Sequence, residues 1–143
     1  MTVARILAVK GRVVTTVLPH RTVEETIAIL AEKRIGAIVV TGSDGEVLGI
    51  ISERDIVKAL ARGGANALSD AVSKHMTSKV ITATEETSVL GVMEEMSSGR
   101  FRHVPIVKGG RLAGLVSIGD VVKYRLEEID NERQALRQYI ASA

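Results

Sequence analysis

Two stretches of this chain repeat each other. Val14-Thr15-Thr16, Val23-Glu24-Glu25-Thr26-Ile27 and Gly49-Ile50-Ile51-Ser52-Glu53-Arg54-Asp55-Ile56-Val57 make up the first copy. They return as Val80-Ile81-Thr82, Val89-Leu90-Gly91-Val92-Met93 and Gly114-Leu115-Val116-Ser117-Ile118-Gly119-Asp120-Val121-Val122. The offset is 66 residues up to the first central strand and 65 after it, so the second copy has lost one residue in a turn. Units this small bury too little apolar surface to stand alone, so the two are expected to pack about a pseudo-twofold axis. A cleft between them would be met by related residues from both sides.

Each copy reads strand, helix, strand, strand, helix. In the first, a short amphipathic segment, Val3 to Val9, precedes a strand around Arg12–Val17. Thr22 then caps a helix, with Glu25 completing a capping box. Ile35–Val40 is a continuous apolar strand, Gly42-Ser43-Asp44-Gly45 a hairpin turn and Val47–Ile51 the returning strand. Ser52 opens a helix that stops at Gly63-Gly64. The second copy predicts strands at Val80–Ala83, His103–Val107 and Leu112–Val116, a helix over Thr87–Ser98, and a last helix opening at Ser117. The fold class is mixed α/β of the α+β kind. Its expected units are residues 1–64 and 79–126, joined by a linker with a short helix over 65–78 and followed by a helical extension over 127–143.

Composition excludes several functions. Phe101, Tyr124 and Tyr139 are the only aromatic residues, too few for a base-stacking platform. The net charge of +2 is interleaved rather than striped, so nucleic-acid binding is disfavoured. Without cysteine there is no disulfide, thiol nucleophile or Cys-based zinc site. His20, His75 and His103 lack metal-ligand spacing. No apolar run approaches a membrane span and no secretory pattern opens the chain, which points to a cytoplasmic protein.

The last helix continues through Asn131 and Glu132 to about Ile140. Val122, Leu126, Ile129, Leu136 and Ile140 follow one another at spacings of 4, 3, 7 and 4, with Arg133 in the missing seam position. This stripe suits either docking on the helix's own domain or a dimer contact.

The doubled pairs Ser52-x-x-Asp55 and Ser117-x-x-Asp120 sit where an apolar strand runs into a helix. Ser at the N-cap with a carboxylate at N3 is a capping box, and capping alone accounts for both residues. The same geometry also suits a nucleotide. A helix N-terminus favours phosphate, and a carboxylate one turn in can accept from the two hydroxyls of a ribose.

A catalytic triad of Ser117, His103 and Asp120 can be drawn on paper. However, Gly114-Leu115-Val116-Ser117-Ile118-Gly119 is not a nucleophile elbow, and the first copy has Ala37 where the base would be.

The tandem β-α-β-β-α pattern, with Gly49-Ile50-Ile51-Ser52-Glu53-Arg54-Asp55-Ile56-Val57 and Arg102-His103-Val104-Pro105-Ile106-Val107, resembles a pair of cystathionine-β-synthase-type (CBS) domains over about Val3 to Leu126. The resemblance implies a regulatory, ligand-sensing module without catalysis or a catalytic cofactor. Its ligand would be adenosine-containing: AMP first, with ADP, ATP, NAD and S-adenosylmethionine in the same class. Carried over from the family, Asp55 and Asp120 would hold ribose hydroxyls, with Ser52 and Ser117 beside phosphate or ribose. Thr16, Thr82 and the backbone at Ala37–Ile38 and His103–Val104 would form the adenine slots. Arg54, Arg102 and His103 would face phosphate.

The two clefts are not equivalent, because Arg54 aligns with Gly119 and Arg102-His103 with Gly36-Ala37. The expected assembly is a homodimer acting on an unidentified regulated protein. The alternative is a dimerisation or partner-control module whose clefts are vestigial.

Overall fold

The computed structural model describes residues 1–142. The chain runs α1 (Val3–Lys10), β1 (Thr16–Val17), α2 (Val23–Lys33), β2 (Ala37–Thr41), β3 (Val47–Ser52) and α3 (Glu53–Gly63). A 3-10 turn over Gly64–Ser69 and the short α4 (Val72–His75) link to α5 (Val89–Gly99), β4 (His103–Lys108), β5 (Arg111–Ser117) and α6 (Ile118–Ser142). One sheet has the order β1-β2-β3 and the other is the hairpin β4-β5. The mixed α/β class and the repeated order of elements are those expected.

Both hairpins turn on glycines with positive φ, Gly45 in the first and Gly109-Gly110 in the second, a backbone that side-chain-bearing residues rarely adopt. Each helix after a hairpin starts where its serine stands in extended conformation and caps it. Ser52 Oγ accepts from the Asp55 amide at 3.2 Å, and Ser117 Oγ from the Asp120 amide at 3.2 Å. Thr22 caps α2 in the same way, accepting from the Glu25 amide at 3.1 Å. The expected box there is only half built, because the Glu25 carboxylate turns outward to Arg21 at 2.9 Å.

Two expected strands are shorter than the sequence pattern implied. Arg12–Val17 contributes only Thr16 and Val17, paired in parallel with Val39 and Val40. Val80–Ala83 is reduced to one parallel bridge between Ala83 and Ile106. The segments leading into them are exposed at Val13 and Ile81, so apolar character there does not reflect a buried ladder.

The apolar side chains form two cores, and the helix before each unit packs into the other unit's core. Val3, Ile6 and Leu7 of α1 join Val89, Val92, Met96, Val104, Ile106 and Val116 of the second unit. Val72 of α4 joins Val23, Ile38, Val40 and Ile51 of the first. α1 thus precedes the first unit in sequence and packs in the core of the second. Paired backbone bonds fix this exchange. Val3 N–H donates to Thr87 O and Val89 N–H to Met1 O, while Val72 N–H donates to Arg21 O and Val23 N–H to Asp70 O. Cutting α1 away would open the second core.

Among the described residues, no helix is long and apolar enough to cross a membrane. Tyr124 and Val121 anchor the first turns of α6, and its 25 residues then run on with Leu126, Leu136 and Ile140 exposed. The apolar stripe thus does not dock on its own domain.

Candidate functional site

The carboxylates of the two Ser-x-x-Asp pairs are built alike. Asp55 Oδ2 accepts from the Ser52 amide and hydroxyl, both at 2.9 Å. Asp120 Oδ2 accepts from the Ser117 amide at 2.9 Å and its hydroxyl at 3.0 Å. The first amide of each helix also has a fixed acceptor. Glu53 N–H donates to Gly36 O at 3.0 Å, and Ile118 N–H to Arg102 O at 2.8 Å. Three backbone amides at each helix start are therefore used within the protein, which narrows the anion site that a bare helix terminus would present.

A cleft of about 340 Å³ opens between the two units. It is lined by Gly36 and Ala37, at the start of β2, and by Leu115 and Ser117 of β5. Lys10, Val13, Val14, Thr15, Ile35 and His103 complete the lining. The volume lies in the range of about 300–1,000 Å³ common for small-molecule sites. His103 and Ser117 are paired across the β4-β5 ladder. His103 is also close to Gly36, where an added Cβ would stand 3.7 Å from its Cε1, so the first unit's glycine faces the second unit's imidazole.

Of the expected residues, the cleft brings together Ala37, His103 and Ser117, with Asp120 bonded directly behind Ser117. Thr16 does not line it. The neighbouring Thr15 does, and Thr16 lies instead in a second hollow of about 450 Å³ with Arg21 and Glu25. Successive residues of an extended chain point to opposite faces, which explains the one-residue displacement. Ile38 and Val104 are fully buried in the two cores, so only their main chain could reach a ligand. Arg54, Arg102 and Thr82 are exposed and do not line this cleft. Ser52 and Asp55 stand at the equivalent place on the other unit, where Thr77 Oγ1 donates to Asp55 Oδ1 at 3.3 Å.

Sequence reasoning missed Lys10. Its Nζ donates to Asp120 Oδ2 at 2.6 Å and to Leu115 O at 3.0 Å. A lysine closing a helix just before Gly11 reads locally as a C-terminal dipole partner, and no local pattern announces a bond 110 residues away.

Electrostatics follow from this contact. Burial pushes the Asp120 carboxyl up, but the Lys10 hydrogen bond, the Ser117 amide and the Lys10 charge together hold it below the usual carboxylate value. Burial lowers the His103 pKa below its ordinary value. The Lys10 and Arg102 charges add to the lowering, against the opposing pull of Asp120 and Glu53. At neutral pH the cleft therefore holds a neutral imidazole beside a lysine cation.

The profile of the CBS domain matches this chain twice, over residues 9–62 and 70–127. A crystal structure of a CBS-domain containing protein from Agrobacterium tumefaciens superposes with a TM-score of 0.84 at 49% identity, covering 87% of this chain and 99% of that one. The CBS domain pair of protein MJ0100, solved in complex with 5′-methylthioadenosine and S-adenosyl-L-methionine, superposes with a TM-score of 0.73 at 27% identity over 90% of this chain and 98% of that one. Among curated sequences, the mitochondrial CBS domain-containing protein CBSX3 of Arabidopsis thaliana is 38% identical over 123 residues, 83% of this chain. The chain spans only 60% of that relative's length. With the exchanged helices, the doubled Ser-x-x-Asp caps and the inter-unit cleft in place, the chain belongs to the CBS domain family as a tandem pair.

Proposed function

We propose that this chain is a regulatory module that senses an adenosine-type ligand in the cleft between its two units and acts by binding rather than catalysis. The observation that carries this reading is the meeting of Gly36–Ala37 from one unit with Ser117 from the other around one cavity of ligand size, with the Asp120 carboxylate bonded to that serine. In this reading the Asp120 carboxylate accepts from ribose hydroxyls, the Gly36–Ala37 main chain borders the adenine, and Ser117 lies beside the ribose or phosphate. The MJ0100 pair, solved with two adenosine derivatives, supports the ligand class. AMP is the proposed ligand, with ADP, ATP and NAD as longer members of the class. Asp55 and Ser52 would serve the second cleft, with Arg54 and Arg102 at the exposed, phosphate-facing rims.

The reading without catalysis is supported by Ser117, whose hydroxyl donates a hydrogen bond to Asp120 Oδ2 within the α6 cap. The exposed α6 stripe supports a homodimer in which two copies cover Leu126, Ile129, Leu136 and Ile140. Calorimetric titration of AMP into the purified chain tests the reading. Saturable binding at one or two sites is expected, and no heat or shift at millimolar AMP would leave only partner control through vestigial clefts.

A further inference from the structure

The cation in the cleft comes from outside the repeated motifs. Lys10 is the last residue of α1, and α1 is held in the second unit's core by Val3, Ile6 and Leu7. The ion pair is not sealed away: the Lys10 side chain is 39% exposed and that of Asp120 24%. The oxygen that takes Lys10 is the one that also takes the Ser117 amide and hydroxyl, so Oδ2 is crowded with donors.

Among the described residues, no such cation meets the first unit's Asp55. The exchanged backbone bonds make Lys79 the counterpart of Lys10, but α4 ends at His75 and Lys79 stands exposed in irregular chain. Asp55 meets a neutral threonine hydroxyl in its place. The helix is simply longer on one side, and that length delivers a lysine to one carboxylate only.

We propose that Lys10 is an internal counter-ion latch that makes the Asp120 cleft discriminate phosphorylated from unphosphorylated adenosine ligands. The inference rests on the nucleotide reading above. A ribose hydroxyl that bonds to Asp120 Oδ2 competes with the ammonium for that oxygen. A nucleoside offers the displaced ammonium no anion in return, and leaves it the Leu115 carbonyl that it already holds at 3.0 Å. A nucleoside phosphate supplies the missing anion within the same cleft. Lys10 therefore penalises adenosine and favours AMP, while the Asp55 cleft lacks this filter.

The test titrates AMP and adenosine into the full chain and into Lys10→Met, Lys10→Arg and Lys79→Met, with a parallel NMR titration of the Asp120 carboxyl in ligand-free protein. In Lys10→Met, adenosine is expected to bind more tightly and AMP more weakly, so that the AMP-to-adenosine affinity ratio at the Asp120 cleft falls about tenfold or more, the scale of one charge-assisted hydrogen bond. Lys10→Arg should keep most of the ratio and Lys79→Met all of it. The Asp120 carboxyl should titrate at higher pH in Lys10→Met.

If wild-type protein binds both ligands and Lys10→Met leaves their ratio unchanged, the latch is overturned while the nucleotide reading stands. An Asp120 titration indifferent to Lys10→Met overturns it as well. If neither ligand binds wild-type protein, the nucleotide reading falls and the selectivity falls with it.

Discussion

Gly49 and Met76 stand so close that a Cβ on Gly49 would lie 2.6 Å from the Met76 sulfur and 2.8 Å from the Thr77 carbonyl oxygen. The other unit repeats the arrangement, with a Cβ on Gly114 lying 2.8 Å from Leu7. Met76 and Leu7 belong to the segments exchanged between units, so each strand glycine is the seat of the other unit's arm. The glycine of Gly49-Ile50-Ile51-Ser52 thus has a packing reason in addition to any role near a ligand.

Substituting alanine at these seats should separate the two contacts. Gly49→Ala meets fixed backbone and is expected to destabilise by about 1–3 kcal/mol, as overpacked sites do. Gly114→Ala meets only a leucine side-chain end and should cost less. Urea melts of both variants check the order, and an equal or reversed order would mean that the Thr77 carbonyl yields freely.

Acid should weaken the fold in two steps. The native His103 pKa lies below its ordinary value of about 6.5, so the unfolded chain takes up that proton first and stability falls as pH drops through this window. The Asp120 carboxyl is held below about 3.9, so its contribution is complete above that value and is lost as pH falls through the depressed native pKa. His103→Gln should remove the upper step and leave the lower one. Stability profiles that superimpose between about pH 7 and 5 would show that His103 does not carry it.

Much of this was legible because the repeat places related residues at related positions. The hairpins, the helix starts at Ser52 and Ser117 and the inward carboxylates all come from local chemistry of turn and cap. What stayed hidden was long-range. The periodicity of Val3, Ile6 and Leu7 predicts an amphipathic helix but carries no sign of which core receives it. That Thr15 rather than Thr16 lines the cleft was not legible, because a two-residue strand leaves its facing to the chain around it. Lys10 was invisible for the same reason as the arm exchange: its partner lies in the other half of the sequence.

The exposed seam on α6 predicts an assembly that depends on the end of the chain. Truncation after Glu128 removes Ile129, Leu136 and Ile140 while keeping Glu128 and its ion pairs to the Met1 ammonium at 3.0 Å and Arg125 at 3.3 Å. Sedimentation should show the full chain as a dimer at tens of micromolar and the truncated one shifted toward monomer. A full-length monomer under those conditions would contradict the assembly.

The account turns on whether the Asp120 carboxylate accepts from a ribose. The most direct measurement compares AMP with 2′-deoxy-AMP, by calorimetry, on wild-type protein and on Asp120→Ala. Wild-type protein should bind the deoxy ligand about tenfold or more weakly at this cleft, the scale of a hydrogen bond to a charged group. In Asp120→Ala that difference should vanish, while the unfolding free energy drops by the scale of a lost helix cap, about 0.5–2 kcal/mol. The same discrimination against 2′-deoxy-AMP in both proteins, at that cleft, would contradict the account and leave Asp120 as a cap for α6 and a partner for Lys10.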